Sequence, residues 1–501
     1  MKKNVLALSM AAMIGGLGLA GVASAAVIPG TGTGGMTLTD ATDLKVTYGG
    51  VGHILLVPYF TAQNGNATAI HLVNTDTTNG KAVKVRFRGA ANSDDILDFT
   101  LLLSPGDVWT GMVTQGADGV AQLTTADKSC TFPSIKDAGG TIPFVKDRLG
   151  SALLPDVNSN TREGYVEILN MADIKPGNNP LFTAIKHVNG TAPCTDSVLS
   201  PTLLVDPANE AAAATAGFDT PSGGLMGDWY IVNVPQTTTF SGGATAVKAV
   251  KTGDVNAHGN FVFSPQLDTA ASTIASADPL FAGATPPIAA AMYDLPDLST
   301  PYIVTGTPSL PVTPKDQASA LANAISVSNV SNQYITDPGL SASTDWVFSM
   351  PTRRYEVAMD YATNTRAYTA LTPSRFNSGN TSVSGSLICV NSQGQTFYDQ
   401  EETSKSAGAV FSPGQVKVTR FCGETSVLSF GASVLGAQVA TQTTTSAYVN
   451  GWGTINTTNG GFGLPILGAA FIKAVNGAAT PGVSGTYGIS FSHRFTPYAA
   501  P

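Results

Sequence analysis

The stretch KAVKVRFRGAANSDDILDFTLLLSPGDVWTGMV, residues 81–113, carries the pattern that decides the fold class. From Val83 to Arg88, apolar and basic side chains alternate, which is the period of a β-strand with one face turned to a core. Two further apolar runs, ILDFTLLL and DVWTGMV, follow the segments ANSDD and SPG. Short segments rich in Asn, Asp, Gly and Pro are typical of turns, so this stretch predicts three successive strands joined by turns.

The same rhythm extends in both directions along the chain. It covers Leu44 to Val113 and returns from Asp345 to the end, with runs such as HILLVPYF, DWVFSM and YGISFSHRF. The middle third is less regular, although an alanine run at 211–217 and the segment PKDQASALANAI from Pro314 to Ile325, with Asp316 at a capping position, predict short helices. The expected fold is all-β, with two antiparallel β-sandwich domains of immunoglobulin-like or jelly-roll-like type, long irregular loops and one or two short helices.

The predicted organisation begins with a signal peptide at residues 1–25. Lys2 and Lys3 precede an apolar run and then Ala-Ser-Ala, a pattern typical of a secretory leader cleaved after Ala25. No later stretch holds about 18 consecutive apolar residues, so we expect no transmembrane span in the mature chain. The predicted domains are an N-terminal β-sandwich at 44–205, a loop-rich middle region at 206–344 that decorates or completes it, and a C-terminal β-sandwich at 345–496.

Composition excludes one class of partner. The chain has 26 Lys and Arg against 34 Asp and Glu, for a formal net charge of −8, and only 12% of its residues are charged. A nucleic-acid partner needs a clustered basic surface, so none is expected. The 53 glycines and 30 prolines are typical of an exported β protein with many turns.

Four widely spaced cysteines predict two disulfides, because an even number in an oxidising compartment favours pairing. Three pairings are possible. We prefer Cys130 with Cys194 and Cys389 with Cys422, since each then closes a loop within one half of the chain. The spacings do not resemble a metal-binding motif.

No catalytic motif is present in the sequence. There is no GxSxG elbow, no Walker loop and no GxGxxG between a strand and a helix, and the histidines form no HExxH pair. We therefore expect a protein that is not an enzyme. The remaining rival is a secreted hydrolase whose triad or metal site is assembled from distant residues. The histidines are His53, His71, His187, His258 and His493.

Carboxylates are the candidate metal ligands. One group precedes the FTLLL strand and a second lies in the loop DLPDLSTPY, whose carbonyls would add oxygen ligands for calcium. Neither group has the DxDxDG pattern, and acidic turn residues also occur as solvated groups or caps of backbone amides. Calcium is the one cofactor considered, and otherwise none is expected. The candidates are Asp94, Asp95, Asp98, Asp294 and Asp297.

Basic and aromatic side chains have simpler interpretations. The dense positive spots are expected to be solvated strand faces, with a neighbouring copy or an anionic polysaccharide as the alternative contact. These spots are Lys81, Lys84, Arg86 and Arg88, and then Arg353 and Arg354. The tryptophans are expected to pack in the core. They are Trp109, Trp229, Trp346 and Trp452. Ser104 to Asp107 predicts a type II turn in which Asp107 accepts backbone amides.

Several stretches together resemble a group of exported proteins of Gram-negative bacteria that are described as cell-surface or surface-layer proteins. They include GHILLVPYF, EGYVEILNMADI, DLPDLSTPY, DWVFSMPTRRYEV, GLPILGAAF and YGISFSHRFT, between about residues 50 and 496. The resemblance implies a location at the outer cell surface and a structural role, without catalytic residues.

The predicted function is therefore a secreted structural subunit that assembles with copies of itself into a surface layer or an extracellular filament. Low charge lowers the repulsion between copies, and uncovered strand edges can pair between them. Surface polysaccharide is the second partner considered. The alternative function is a surface adhesin or glycan-binding module that uses the loops between residues 115 and 345.

Overall fold

The fold was taken from a computed structural model, which describes residues 26–150, 154, 156–263, 296–306, 310–369, 371–405, 419–444, 449–479 and 485–498. Strands dominate, and almost all of them pair antiparallel, so the predicted all-β, sandwich-like class is confirmed. The predicted signal peptide lies outside the described residues, as does Asp294. None of the helices in the described part of the chain is long and apolar enough to span a membrane.

The strands before residue 264 are numbered in chain order. They are β1 Ala26–Ile28, β2 Asp43–Thr47, β3 Val51–Gly52, β4 Ile54–Thr61, β5 Asn66–Asn74, β6 Gly80–Gly89, β7 Asp95–Leu103, β8 Val108–Gln115, β9 Ala121–Thr124, β10 Cys130–Phe132, β11 Thr141–Pro143, β12 Glu163–Ile174, β13 Phe218–Asp219, β14 Leu225–Asn233, β15 Thr238–Gly243, β16 Thr245–Lys251, β17 Val255–Asn256 and β18 Phe261–Phe263.

The remaining strands follow residue 303. They are β19 Val304–Thr305, β20 Leu310–Pro311, β21 Ser326–Ile335, β22 Ser343–Ser349, β23 Val357–Asp360, β24 Thr365–Tyr368, β25 Thr381–Ser384, β26 Leu387–Asn391, β27 Gly394–Asp399, β28 Ser404–Lys405, β29 Arg420–Cys422, β30 Thr425–Phe430, β31 Thr441–Thr444, β32 Asn450–Asn456, β33 Thr458–Asn459, β34 Phe462–Pro465, β35 Leu467–Val475, β36 Thr486–Ser492 and β37 Arg494–Pro497.

Helices are short and few among the described residues. They are α1 Val157–Asn160, α2 Pro180–Ile185, α3 Asp196–Leu203, α4 Glu210–Thr215 and α5 Pro314–Ile325, with 3-10 turns at Gln63–Gly65, Pro338–Leu340 and Arg353–Tyr355. Both helices predicted from the sequence, the alanine run and the segment from Pro314, are present.

Two large sheets pack face to face in the first part of the chain. Sheet 1 has nine strands, in the order β10-β7-β6-β12-β4-β16-β17 with β13 and β2 attached, and sheet 2 has seven, in the order β11-β9-β8-β5-β14-β15 with β3 attached. Their facing side chains, such as Val85 and Phe87 of sheet 1 and Trp109 and Trp229 of sheet 2, form one apolar core. Strands β13 to β17 belong to these sheets although they lie in the middle region of the sequence.

Two further sheets form the second part. Sheet 3 has the order β31-β30-β22-β35-β36, and sheet 4 has the order β28-β27-β32-β21-β34-β33 with β37 attached. The pair β30–β31 is parallel. One face of sheet 3 packs on sheet 4 through Trp346 and Phe430, and the other joins the first core through Val347 and Phe471. The strands β22 and β30 of sheet 3 are therefore buried on both faces.

Sheet 1 is also covered on both faces at its central strands. Its second face packs against α2, α3, α4 and α5 and the pair β1–β18, through residues such as Leu56, Ala82 and Leu321. Every residue of β6 is buried as a result. The basic face predicted for this strand therefore does not reach solvent.

The two predicted disulfides are present with the preferred pairing. Cys130 of β10 is bonded to Cys194, and Cys389 of β26 is bonded to Cys422 of the neighbouring strand β29. No cysteine in the chain is left free.

Helix α5 begins with a capping box, in which Thr313 is the N-cap and Asp316 the third helical residue. The Thr313 side chain accepts from the Asp316 amide at 3.2 Å, and the Asp316 carboxylate accepts from the Thr313 amide at 3.2 Å. Asp316 thus supports the cap without being the cap residue. Leu321 and Ile325 hold the helix against sheet 1.

We expect Thr313→Ala to lower the free energy of unfolding by about 1 kcal/mol, because the Asp316 amide loses its acceptor. Urea denaturation followed by tryptophan fluorescence measures this change. Thr313→Ser keeps the hydroxyl and should unfold as the wild type does. Equal stability of the alanine and serine variants would contradict the role of the box.

Candidate functional site

Strand β6 places two arginines between acidic neighbours. Arg86 and Arg88 leave the strand on the face opposite Val85 and Phe87, because successive side chains of a strand alternate. In register, Arg86 lies opposite Glu167 of β12 on one side and Asp98 of β7 on the other. The sheet itself therefore brings opposite charges together.

The contacts of these arginines are close. Arg86 Nε lies 3.2 Å from Asp95 Oδ2, and Arg88 Nε lies 3.3 Å from Glu167 Oε2. A third arginine, Arg148, lies 3.2 Å from the same Asp95 oxygen. All these side chains are almost fully buried, so each charge is balanced inside the protein.

The second part of the chain adds two more arginines, from the 3-10 turn Arg353–Tyr355. Arg354 Nη2 lies 3.0 Å from Asp297 Oδ2 and 3.5 Å from Glu167 Oε1. Arg353 pairs with Glu424 through Nε and donates from Nη1 to the Ile388 carbonyl at 2.8 Å. We call this set the arginine cluster. It comprises Arg86, Arg88, Arg353 and Arg354 with Asp95, Glu167, Asp297 and Glu424.

Burial and neighbouring positive charges shift the pKa values of the acids in the cluster in opposite directions. Burial alone would raise the pKa of Glu167, but Arg88 and Arg354 outweigh it and hold the pKa of this carboxyl below its ordinary value. For Asp297, burial prevails over Arg88 and the pKa is raised. Burial also raises the pKa of Tyr165 well above its ordinary value, and its hydroxyl donates to Glu167 Oε1 at 3.2 Å.

The arginine cluster joins the two parts of the chain. Arg353, Arg354 and Glu424 come from residues after 350, whereas their partners include Glu167 and Asp297. The members are 0–4% exposed at the side chain, so no substrate reaches them. Removing one partner of such a buried pair would leave a charge uncompensated inside the fold.

The acids singled out as calcium ligands lie in or beside this cluster. Asp95 and Asp297 are members, Asp98 accepts from Lys84 Nζ at 2.7 Å, and Asp94 accepts from the Tyr361 hydroxyl at 2.6 Å. The fifth candidate, Asp294, is outside the described residues. No three His, Cys, Asp or Glu residues in the described ranges form a group that could hold a metal ion. Calcium binding stays a prediction, and arginine or lysine side chains already pair with Asp95, Asp98 and Asp297.

The expectation of solvated basic spots was wrong. Lys81, Lys84, Arg86, Arg88, Arg353 and Arg354 are all buried. The sequence shows the alternation of β6 but not the segments around Asp297 and Arg354 that contact its basic face. The sequence held one signal for this burial, namely two basic segments and two acidic segments in a chain with few charged residues.

Three of the four tryptophans pack in the core, as predicted. Trp109, Trp229 and Trp346 are 0–2% exposed, whereas Trp452 is 46% exposed. Trp452 lies on β32, opposite Tyr398 of β27, and the two rings are stacked with centroids 4.7 Å apart. The prediction was therefore wrong for Trp452, because the outer face of sheet 4 leaves it open to solvent.

The turn at Ser104 to Asp107 is confirmed. Gly106 has a φ of +70°, the Asp107 amide donates to the Ser104 carbonyl at 3.1 Å, and Asp107 Oδ2 accepts from the Ser104 amide at 3.0 Å. His187 also approaches this corner, with Nδ1 3.5 Å from Asp107 Oδ2 and 3.4 Å from Ser104 Oγ. No sequence pattern linked His187 to the turn.

This Ser, His and Asp set does not have the arrangement of a catalytic triad. In a triad the histidine faces the serine with one ring nitrogen and the acid with the other. Here Nδ1 of His187 faces both Ser104 and Asp107. A proton taken from Ser104 would therefore end on the same nitrogen that faces the Asp107 carboxylate. The ring thus does not link the serine to the acid through its two separate nitrogens, as it does in a triad.

Two other histidines are held as neutral groups inside the fold. Burial lowers the pKa of His53 to about 3 and that of His493 to about 4. Both ring nitrogens of His53 have backbone partners, Ala249 N at 3.1 Å and Ala257 O at 2.9 Å. These side chains support packing.

The chain matches no protein-family model, no curated protein and no solved structure. The resemblance to exported cell-surface proteins thus stays a prediction from the quoted stretches.

We expect Arg354→Met to lower the free energy of unfolding by about 3–5 kcal/mol, because Asp297 and Glu167 lose a buried partner. The matched control is Lys45→Met, which removes a pair with Asp43 whose side chains are half exposed. That change should cost less than about 1 kcal/mol. Urea unfolding of the two variants measures the difference, and similar losses would contradict the importance of the cluster.

Asp94 gives a pH-dependent prediction. Burial raises the pKa of Asp94 to about 7, so the folded protein keeps this proton between pH 5 and 7 while the unfolded chain releases it. The stability that the protonated form contributes is therefore lost as the pH rises to 7. Asp94→Asn keeps the oxygen that faces Tyr361 and cannot ionise.

We expect the asparagine variant to gain stability relative to the wild type by about 1.4 kcal/mol per pH unit from pH 5 to 7, and no more above that. Urea unfolding of both proteins at several pH values gives this difference. Taking the difference removes the opposing effects of His53 and His493, which are shared by both proteins. A difference that does not change with pH would show that Asp94 is ionised in the folded state.

Proposed function

We propose that this protein is a secreted structural subunit that assembles with copies of itself at the outer surface of a Gram-negative bacterium, in a surface layer or a filament. The observation that carries the proposal is the outer face of sheet 2. It is an exposed sheet face on which apolar side chains are grouped and charged groups are few.

The apolar groups lie in rows across the strands. One row joins Met112 of β8, Ala69 of β5 and Tyr230 of β14, and the parallel row joins Val108, Val73 and Met226 in the same strands. Met112, Val108 and Tyr230 are each 40–41% exposed. The two rows are four residues apart along each strand and form two apolar stripes on the same exposed face.

The row between them is polar, with Thr110, His71 and Asp228, and the polar residues Thr124 and Ser241 stand at the ends of the first apolar row. Grouped apolar side chains on an exposed face mark a surface that meets another protein. A second copy is the occupant that we propose, since one sheet face can pack on another sheet face and an isologous contact needs no other partner.

The distribution of charge supports association. Many of the chain's few charged residues are buried, including the arginine cluster, Lys81, Lys84 and Asp173. Charge that is balanced inside the fold does not repel another copy, and a surface low in charge favours association over dispersal. The two disulfides and the arginine cluster also hold the subunit in one shape, which a regular array requires.

A non-enzymatic role is part of the proposal. It is supported by the arrangement of Ser104, Asp107 and His187, in which one nitrogen faces both partners. A second candidate function, glycan binding, is favoured by the exposed side chain of Trp452.

Electron microscopy of the purified mature protein tests the proposal. We expect a regular lattice or filament, and calcium or a chelator in parallel samples shows whether order depends on that ion. The double variant Val108→Lys and Met112→Lys places two charges on the outer face of sheet 2 and should leave single particles, because like charges then oppose each other across the contact.

The matched controls are Val255→Lys and Leu310→Lys, which change exposed apolar residues elsewhere and should assemble normally. Thermal unfolding of all variants confirms that each one is folded. Single particles of the wild type under every condition, and no ordered layer on native cells, would refute the proposed function. Assembly of the double variant would refute the role of this face.

A further inference from the structure

The outer face of sheet 4 carries an exposed aromatic pair. Trp452 and Tyr398 are cross-strand neighbours on β32 and β27, and their rings are nearly parallel, with an interplanar angle of 12°. The stack holds the indole in one orientation, while 46% of Trp452 stays exposed. A fixed and exposed indole provides a flat apolar surface at little cost in side-chain entropy.

Beside Trp452 lies a cavity of about 290 Å³. We call it the Trp452 slot. Its other lining residues are Ser331, Asn332, Gln333, Phe491 and Arg494. The slot thus combines aromatic surface with hydroxyl, amide and guanidinium groups.

The walls of the slot are fixed by hydrogen bonds. Asn332 is buried and donates to the Phe491 carbonyl at 3.1 Å, which ties β21 to β36. The Ser331 hydroxyl bonds to Thr454 of β32 at 2.9 Å. Gln333 lies opposite Trp452 in the strand register and is exposed. The slot is therefore formed before any ligand arrives.

The mixture of groups selects a class of ligand. A sugar ring has an apolar face that stacks on an indole and hydroxyls around its edge that bond to amides and hydroxyls. A purely apolar ligand would leave Gln333 and Arg494 without partners. A nucleic acid would need many cations, whereas the slot is lined by one.

Arg494 indicates which kind of sugar ligand the slot would favour. It is exposed, and Nη1 donates to the Ser492 carbonyl at 2.9 Å. No carboxylate in the described ranges lies within salt-bridge distance of this guanidinium, and no acidic residue lines the slot. A planar guanidinium is suited to bind a carboxylate through paired hydrogen bonds.

We propose that the Trp452 slot binds an acidic polysaccharide, with a sugar ring stacked on Trp452 and a sugar carboxylate paired with Arg494. The site lies on sheet 4, whereas the face assigned to self-assembly lies on sheet 2. Binding of a polysaccharide in the slot does not require self-assembly. For a subunit at the cell surface, the slot provides attachment to surface polysaccharide.

Calorimetric titration of the full mature protein tests the proposal, with hexagalacturonate as the acidic probe and cellohexaose as the neutral one. We expect the wild type to bind hexagalacturonate more tightly and to lose affinity as salt is added. Trp452→Ala should weaken binding at least about tenfold, because a buried aromatic contact is lost. Trp452→Phe keeps a ring and should retain part of the affinity.

The matched control is Tyr487→Ala, which removes an aromatic side chain that is 59% exposed on β36 but does not line the slot. It should bind as the wild type does. Arg494→Gln should remove the preference for the acidic probe while leaving weak binding to both. Thermal unfolding verifies that each variant is folded.

Failure of the wild type to bind either probe at millimolar concentration would overturn the proposal. Wild-type affinity in Trp452→Ala would also overturn it, and equal binding of the two probes would overturn the acidic class. The Val108→Lys and Met112→Lys double variant should bind hexagalacturonate normally. This result separates the slot from self-assembly, so that either proposal can fail alone.

Discussion

The rest of the structure depends on the burial of two arginines at the centre of sheet 1. A guanidinium that leaves water needs a paired acid, and β6 finds its acids in the strands on both sides. A slip of one residue would turn Arg86 and Arg88 into the apolar core that holds Val85 and Phe87. Charge pairing therefore acts together with hydrophobic burial in fixing the register of sheet 1.

The same requirement joins the two parts of the chain. The carboxylates of Glu167 and Asp297 receive Arg354 from beyond residue 350, and Phe471 of sheet 3 enters the core of the first sandwich. Many charged side chains of the protein are therefore enclosed, and its two exposed sheet faces differ in character. Sheet 2 presents two apolar rows, and sheet 4 presents an aromatic slot with one cation.

Local features of this fold were predictable because their causes are local. The alternation in β6, the turn at Gly106 and the helix that begins at Pro314 each follow from neighbouring residues, and disulfide pairing within each half followed from spacing. Burial of the basic face was not predictable, since alternation shows that a strand has two faces but not which of them is covered. Trp452 was assigned to the core for the same reason, because the sequence does not show which face of its strand is covered.

The candidate site residues also show that sequence alone does not reveal which tertiary partner a charged side chain will have. Asp95 and Asp297 were chosen as ligands for an ion, and the groups that reach them are arginines supplied by strand register and by a distant turn. His187 joins Ser104 and Asp107 without any sequence signal. Residue type indicated where charge matters, and tertiary contacts decided which partner balances it.

The arginine cluster also has a consequence for the order in which parts of the chain can reach their final structure. A chain is synthesised from its N-terminus, so β6, β7 and β12 exist before Arg353 and Arg354 have been added. Until then Glu167 and Asp297 lack a cation of their final set, and the first sandwich cannot enclose them in their final state. The first sandwich therefore obtains the last of the buried counter-charges for Glu167 and Asp297 only when the last third of the chain is present.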